Sequence, residues 1–123
     1  MSDYCREKVL RYPIEESPWD IEEKFPELFT AHKNLPAFDT APTDGNFIDY
    51  KLEHSYGVDC GDWGRNRELY QEEKDKYRPI FEQIFPNIDM NKVRLVEYCW
   101  YNCSEAPDYY DDVNEKDGFY KPV

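Results

Sequence analysis

Residues 92–102, KVRLVEYCWYN, constrain what this chain can fold into more than any other stretch. In an extended chain successive side chains point to opposite faces. Val93, Leu95, Glu97, Cys99 and Tyr101 then share one face, and Arg94, Val96, Tyr98 and Trp100 share the other. Both faces are largely apolar. Such a strand has to be covered on both sides, so it is expected at the centre of a sheet or beneath a helix.

The rest of the chain has to supply neighbours for it. Residues 8–14, KVLRYPI, read as a short strand that Pro13 sends to a sheet edge or ends. FIDYKLEH, residues 47–54, alternates in polarity, and Ile48, Tyr50 and Leu52 make its apolar face. SPWDIEEKF carries helix-start chemistry: Ser17 can cap, Pro18 fits the first helical position, and Asp20 stands where a capping box places its acid. Glu22 and Glu23 add to the charge that suits the positive end of the helix dipole. Pro26 interrupts this helix, and PELFTAHKNL is expected to continue it for two turns.

NRELYQEEKDKYRPIFEQIF is the strongest helical pattern. Leu69, Tyr70, Tyr77, Ile80, Phe81 and Ile84 fall on one face at helical spacing, with Asn66 as the expected cap. Pro79 predicts a kink near Lys76 or Tyr77, and Pro86 and Asn87 close the helix. Residues 34–46 and 57–64 read as loops from their proline and glycine content. The expectation is an α+β fold, a small antiparallel sheet of about three strands packed with two or three helices. Residues 1–123 make a single compact domain, ending in an acidic, aromatic tail at 104–123 that is expected to be flexible. Aromatic residues are 17% of the chain, enough large side chains to build a core at this length.

Acids outnumber bases 27 to 15, for a formal net charge of -12. That field repels nucleic-acid backbones and acidic membranes and attracts basic protein surfaces. No apolar run reaches the roughly 20 residues of a membrane helix. The opening MSDYCREKVLRY lacks the apolar core of a secretory signal, so a cytoplasmic protein is expected. Cys5, Cys60, Cys99 and Cys103 are then expected to be reduced thiols.

Glu97 stands in the middle of the apolar strand. A carboxyl in such a site titrates high and can serve as a general acid. The structural reading pairs it with Arg11 on a neighbouring strand, since buried charges are seldom left unpaired. A zinc site can be drawn from His54, Cys60, Cys99 and Cys103, but neither cysteine pair has zinc-knuckle spacing. Cys99 and Cys103 are roughly 13 Å apart if the chain stays extended. A cysteine–histidine nucleophile has no local support. The chain has no G-x-S-x-G, no phosphate loop, no dinucleotide fingerprint and no H-E-x-x-H. The sequence therefore singles out no catalytic residue, metal site or cofactor.

Two segments remain. SEAPDYYDDVNEKD, residues 104–117, sets Tyr109 and Tyr110 among Asp108, Asp111 and Asp112. Glu22 and Glu23 belong to a second acidic cluster with Glu15, Glu16, Asp20 and Glu27. Acids at short intervals imitate the charge spacing of a nucleic-acid backbone, and tyrosines supply rigid contact area. The reading is a small non-enzymatic binding protein that docks on a basic protein through Asp108, Tyr109, Tyr110, Asp111, Asp112, Glu22 and Glu23. Its sharpest form is an inhibitor that occludes a nucleic-acid-binding protein or nuclease, as phage anti-defence and immunity-type proteins do by analogy of class. It has no direct nucleic-acid or membrane partner. The alternative is a small-ligand or metal-binding domain, or an enzyme, built around Glu97, Trp100 and the cysteine and histidine set.

Overall fold

In the computed structural model, residues 4–30, 34–40, 46–58 and 66–101 are described, with residues 4, 56–58 and 98–101 described by backbone only. Strand β1 (Tyr4–Pro13) leads into helix α1 (Pro18–Lys24) and a single 3-10 turn at Pro26–Leu28. Strands β2 (Ala37–Thr40), β3 (Phe47–Val58) and β4 (Asn66–Glu68) follow, then helix α2 (Gln71–Glu82), a 3-10 turn at Met90–Lys92 and strand β5 (Arg94–Tyr101). The strands form one five-stranded sheet in the order β2-β3-β1-β5-β4. All four pairings are antiparallel.

The α+β expectation holds, but the sheet has five strands rather than about three. The two extra strands are short edges that polarity patterning could not reveal. AFDT was hidden in a stretch read as loop, and NRE in a stretch read as the start of the long helix. Residues 8–13 belong not to an edge but to β1, which lies in the middle of the sheet and begins at Tyr4. Pro13 is its last residue, where a missing N–H costs least. After Pro26 the helix does not resume for two turns; one 3-10 turn suffices. Ser17 does occupy the cap position of α1, though its hydroxyl makes no capping bond.

Helix α2 begins four residues later than the pattern implied, capped at Tyr70 rather than Asn66. Arg67 draws the chain into β4 by donating to both carboxylate oxygens of Glu73, at 2.8 and 3.0 Å. Its guanidinium also lies over the Tyr70 ring, 4.2 Å from the centroid. Glu73 then turns one oxygen back to accept from the Tyr70 N–H at 2.7 Å, which satisfies an orphan donor of the first turn. These bonds from Arg67, opposed by desolvation, hold the Glu73 carboxyl below its usual 4.5.

Both helices pack on one face of the sheet. The register row Phe38–Tyr50–Leu10–Leu95 crosses four strands on that face and is buried throughout. Phe81 from α2 sits on it, its ring 5.4 Å from Phe38, 6.1 Å from Tyr50 and 6.4 Å from Tyr12. Ile21 of α1 and Phe29 complete the core at the β2 side. Among the described residues no helix is long and apolar enough to cross a membrane. Phe81 is fully buried, so Phe81→Ala is expected to cost about 3–5 kcal/mol, read from urea unfolding midpoints.

Candidate functional site

The face of the sheet away from the helices carries charge, and its centre is buried: Arg11 and Asp49 are buried, Asp39 and Arg94 partly so, and Glu68 at the edge is exposed. One register row runs Asp39–Asp49–Arg11–Arg94–Glu68 across all five strands. It lies one residue from the apolar row on every strand, so alternation alone sends the two rows to opposite faces. At its centre Arg11 grips Asp49 through two parallel hydrogen bonds, Nε to Oδ1 at 2.9 Å and Nη2 to Oδ2 at 3.0 Å. The Arg11 guanidinium also lies 5.3 Å from the Phe47 ring centroid. Burial pushes the Asp49 carboxyl above its usual 3.8, with the charge and hydrogen bonds of Arg11 pulling the other way. Arg94 donates to the side-chain oxygen and the carbonyl of Asn66 on β4.

A second cluster continues along the same face. Between Lys8 and Val9 the β1–β3 register shifts, so that Val9 faces Lys51, Lys8 faces Glu53 and Glu7 faces His54. Leu52 is the extra residue. Without this bulge Lys51 and His54 would point to opposite faces; with it both reach Glu7. His54 Nδ1 lies 2.8 Å from one Glu7 oxygen, and Lys51 Nζ lies 3.2 Å from the other. Lys51 also reaches Asp39 at 3.2 Å, tying β1, β3 and β2 together. Burial works against the Lys51 ammonium, but Glu7 and Asp39 outweigh it and hold its pKa above the usual 10.5.

These groups were only partly foreseen. Strands β1 and β5 are neighbours, as the Glu97–Arg11 idea required. The pair itself does not form, because Glu97 stands across from Lys8, three register steps from Arg11 and on the opposite face. Arg11 takes Asp49 instead. The signal for Asp49, Lys51 and Glu7 was weak: FIDYKLEH looks like a half-exposed strand, and nothing local says its polar side is covered. Glu97 is buried as expected.

The cysteine expectation is overturned at Cys5. It is fully buried on the charged face and disulfide-bonded, not a reduced thiol. Cys60, Cys103 and His32, and the side chains of Cys99 and Trp100, lie outside the described residues. Among the described residues no group of three histidine, cysteine or acidic side chains could hold a metal ion. The expected contacts Asp108, Tyr109, Tyr110, Asp111 and Asp112 also lie outside the described residues.

Glu22 and Glu23 lie on α1, which is anchored by buried Pro18 and Ile21. Its outer side is different from the paired sheet face. Glu15, Glu16, Asp20, Glu23 and Glu27 are exposed and Glu22 is partly so. Their one described salt bridge is Lys24 to Glu16 at 3.5 Å. Among them stands Trp19, 70% exposed. No family model matches this chain, no characterised protein matches its sequence, and no solved structure matches its fold.

Two outcomes are expected. Arg11→Ala strands a buried carboxylate and costs about 3–5 kcal/mol, whereas the double change Arg11→Met with Asp49→Leu recovers most of that loss; urea unfolding separates them. The raised Lys51 pKa contributes stability that is fully present below its unfolded value of 10.5 and is lost as pH rises through the higher folded value. The stability gap between wild type and Lys51→Met, followed upward from neutral pH, is therefore expected to close only in the alkaline range.

Proposed function

We propose that this chain is a non-enzymatic binding protein that docks its acidic surface on a basic protein, in its sharpest form an inhibitor that covers a nucleic-acid-binding surface. The observation that supports it best is the outer side of α1. Most described acids on the sheet have a cation within reach, whereas those around Trp19 have almost none. A tryptophan exposed to this degree on a folded helix is a ready hot-spot anchor: it offers a large apolar area and a ring face that attracts cations. Unpaired carboxylates around it steer a basic partner and set its orientation. Asp108, Tyr109, Tyr110, Asp111 and Asp112 have the same chemistry and are proposed as a second contact.

Buried Arg11 pairs with buried Asp49, and buried Glu7 with the half-buried Lys51, which suits a rigid scaffold better than a reacting centre. A cytoplasmic setting is part of this proposal. The Cys5 disulfide weighs against it, because such bonds form and persist in oxidising compartments.

The test is capture of partners from the native host's extract on the tagged protein, eluted by a salt gradient with and without competing DNA. A nucleic-acid-binding protein that DNA displaces is expected. The same capture is expected to weaken at least about tenfold with Trp19→Ala plus Glu23→Lys, and again with lysines at Asp108, Asp111 and Asp112, as loss of hot-spot contacts does. Unchanged capture by both variants removes the proposal.

A further inference from the structure

Two arginines of this chain are held by the same pair of groups, an aromatic ring and a carboxylate close to it in sequence. Arg67 lies 4.2 Å from the Tyr70 ring centroid and donates to both oxygens of Glu73, three residues further on. Arg11 lies 5.3 Å from the Phe47 centroid and donates to both oxygens of Asp49, two residues further on. The chemistry is that of a planar guanidinium: its face stacks on the ring while its edge presents a fork of N–H donors to the carboxylate. A lysine ammonium is a compact point charge with neither face nor fork. Lys76, 5.2 Å from the Tyr77 centroid, uses a ring alone and makes no salt bridge among the described residues.

Helix α1 carries the same pair of groups on its outer side. Trp19 is followed three residues later by Glu22 and four later by Glu23. On a helix, side chains at those spacings are neighbours, about 5–6 Å apart at Cβ. Pro18 and Ile21 are buried and fix which way the helix faces, so Trp19 is held outward, 70% exposed. Glu22 is partly exposed and Glu23 exposed. Among the described residues no cation lies over the Trp19 ring and neither acid makes a salt bridge. Of the aromatic rings, indole attracts a cation most strongly.

We infer that Trp19, with Glu22 and Glu23 beside it, is a seat for an arginine side chain of the basic partner and reads arginine in preference to lysine. The inference rests on the proposed docking of the acidic surface and adds what that surface selects. The guanidinium lies flat on the indole and turns its fork to one of the two carboxylates. The net charge of -12 attracts any basic surface over a distance; the seat sorts between the two kinds of cation at contact.

The test uses the full chain and two short peptides of identical glycine–serine sequence, one carrying three arginines and the other three lysines. Binding is followed by NMR on the Trp19 indole N–H, assigned by its disappearance in Trp19→Leu. The arginine peptide is expected to bind at least about threefold more tightly, the scale of an exposed cation–π contact. In Trp19→Leu, followed by the backbone amides of Glu22 and Glu23, the two peptides are expected to bind equally. Glu22→Gln with Glu23→Gln is expected to weaken the arginine peptide more than the lysine peptide. Equal affinities for the unmodified chain overturn the inference and leave docking by charge in place. A preference that survives Trp19→Leu overturns it too, as does an indole resonance that neither peptide moves. An arginine preference lost with Trp19 upholds the seat even where capture from extract finds no nucleic-acid-binding protein, and the inhibitor reading then falls alone.

Discussion

A guanidinium and a carboxylate, buried together in the middle of the sheet, set the terms for the rest of this structure. Arg11 and Asp49 make both of their parallel hydrogen bonds across the β1–β3 rung. A charge that deep is tolerable only while it is paired. That makes the strand register nearly absolute: a slip of one residue would turn Arg11 and Asp49 into the apolar row under α2 and turn Leu10 and Tyr50 out of it. The pair therefore contributes less to net stability than to the choice of one arrangement over its neighbours. The apolar row and the charged row, one residue apart on every strand, are two consequences of the same alternation.

The bulge near Leu52 extends the charged face beyond that row. It lets Glu7 receive His54 and Lys51 together, and Lys51 then joins β2 through Asp39. Asp49, Glu7 and Asp39 on this face are spent on internal contacts. Those around α1 are not, and there an exposed tryptophan replaces the cations. The net charge of -12 is thus distributed unevenly in kind as well as in amount: one part binds the strands to each other, and another faces outward where a basic surface can meet it.

The polarity pattern was most legible where a periodic signal ran long. The two-sided burial of Leu95 and Val96, the apolar face of Ile48 and Tyr50 and the helical face holding Phe81 were all readable from spacing alone. Short edge strands were not. Ala37–Thr40 and Asn66–Glu68 have too few residues to show a period, and they are strands because a long neighbour offers them unpaired backbone. Arg67 shows the same limit at the start of α2. Its place in β4 comes from pairing with β5 opposite Leu95, so the local capping chemistry of Asn66 was a misleading guide.

The acidity, the aromatic content, the central apolar strand and the outward acids of α1 were determined by the sequence itself, because composition and nearest-neighbour spacing act without knowledge of the fold. Which carboxylate Arg11 takes, which charges are buried, and that Cys5 is bonded rather than free were decided only by the tertiary structure. Each of those depends on strands 38 or more residues apart being set in one register, and a register is a property of paired backbones that no single segment carries.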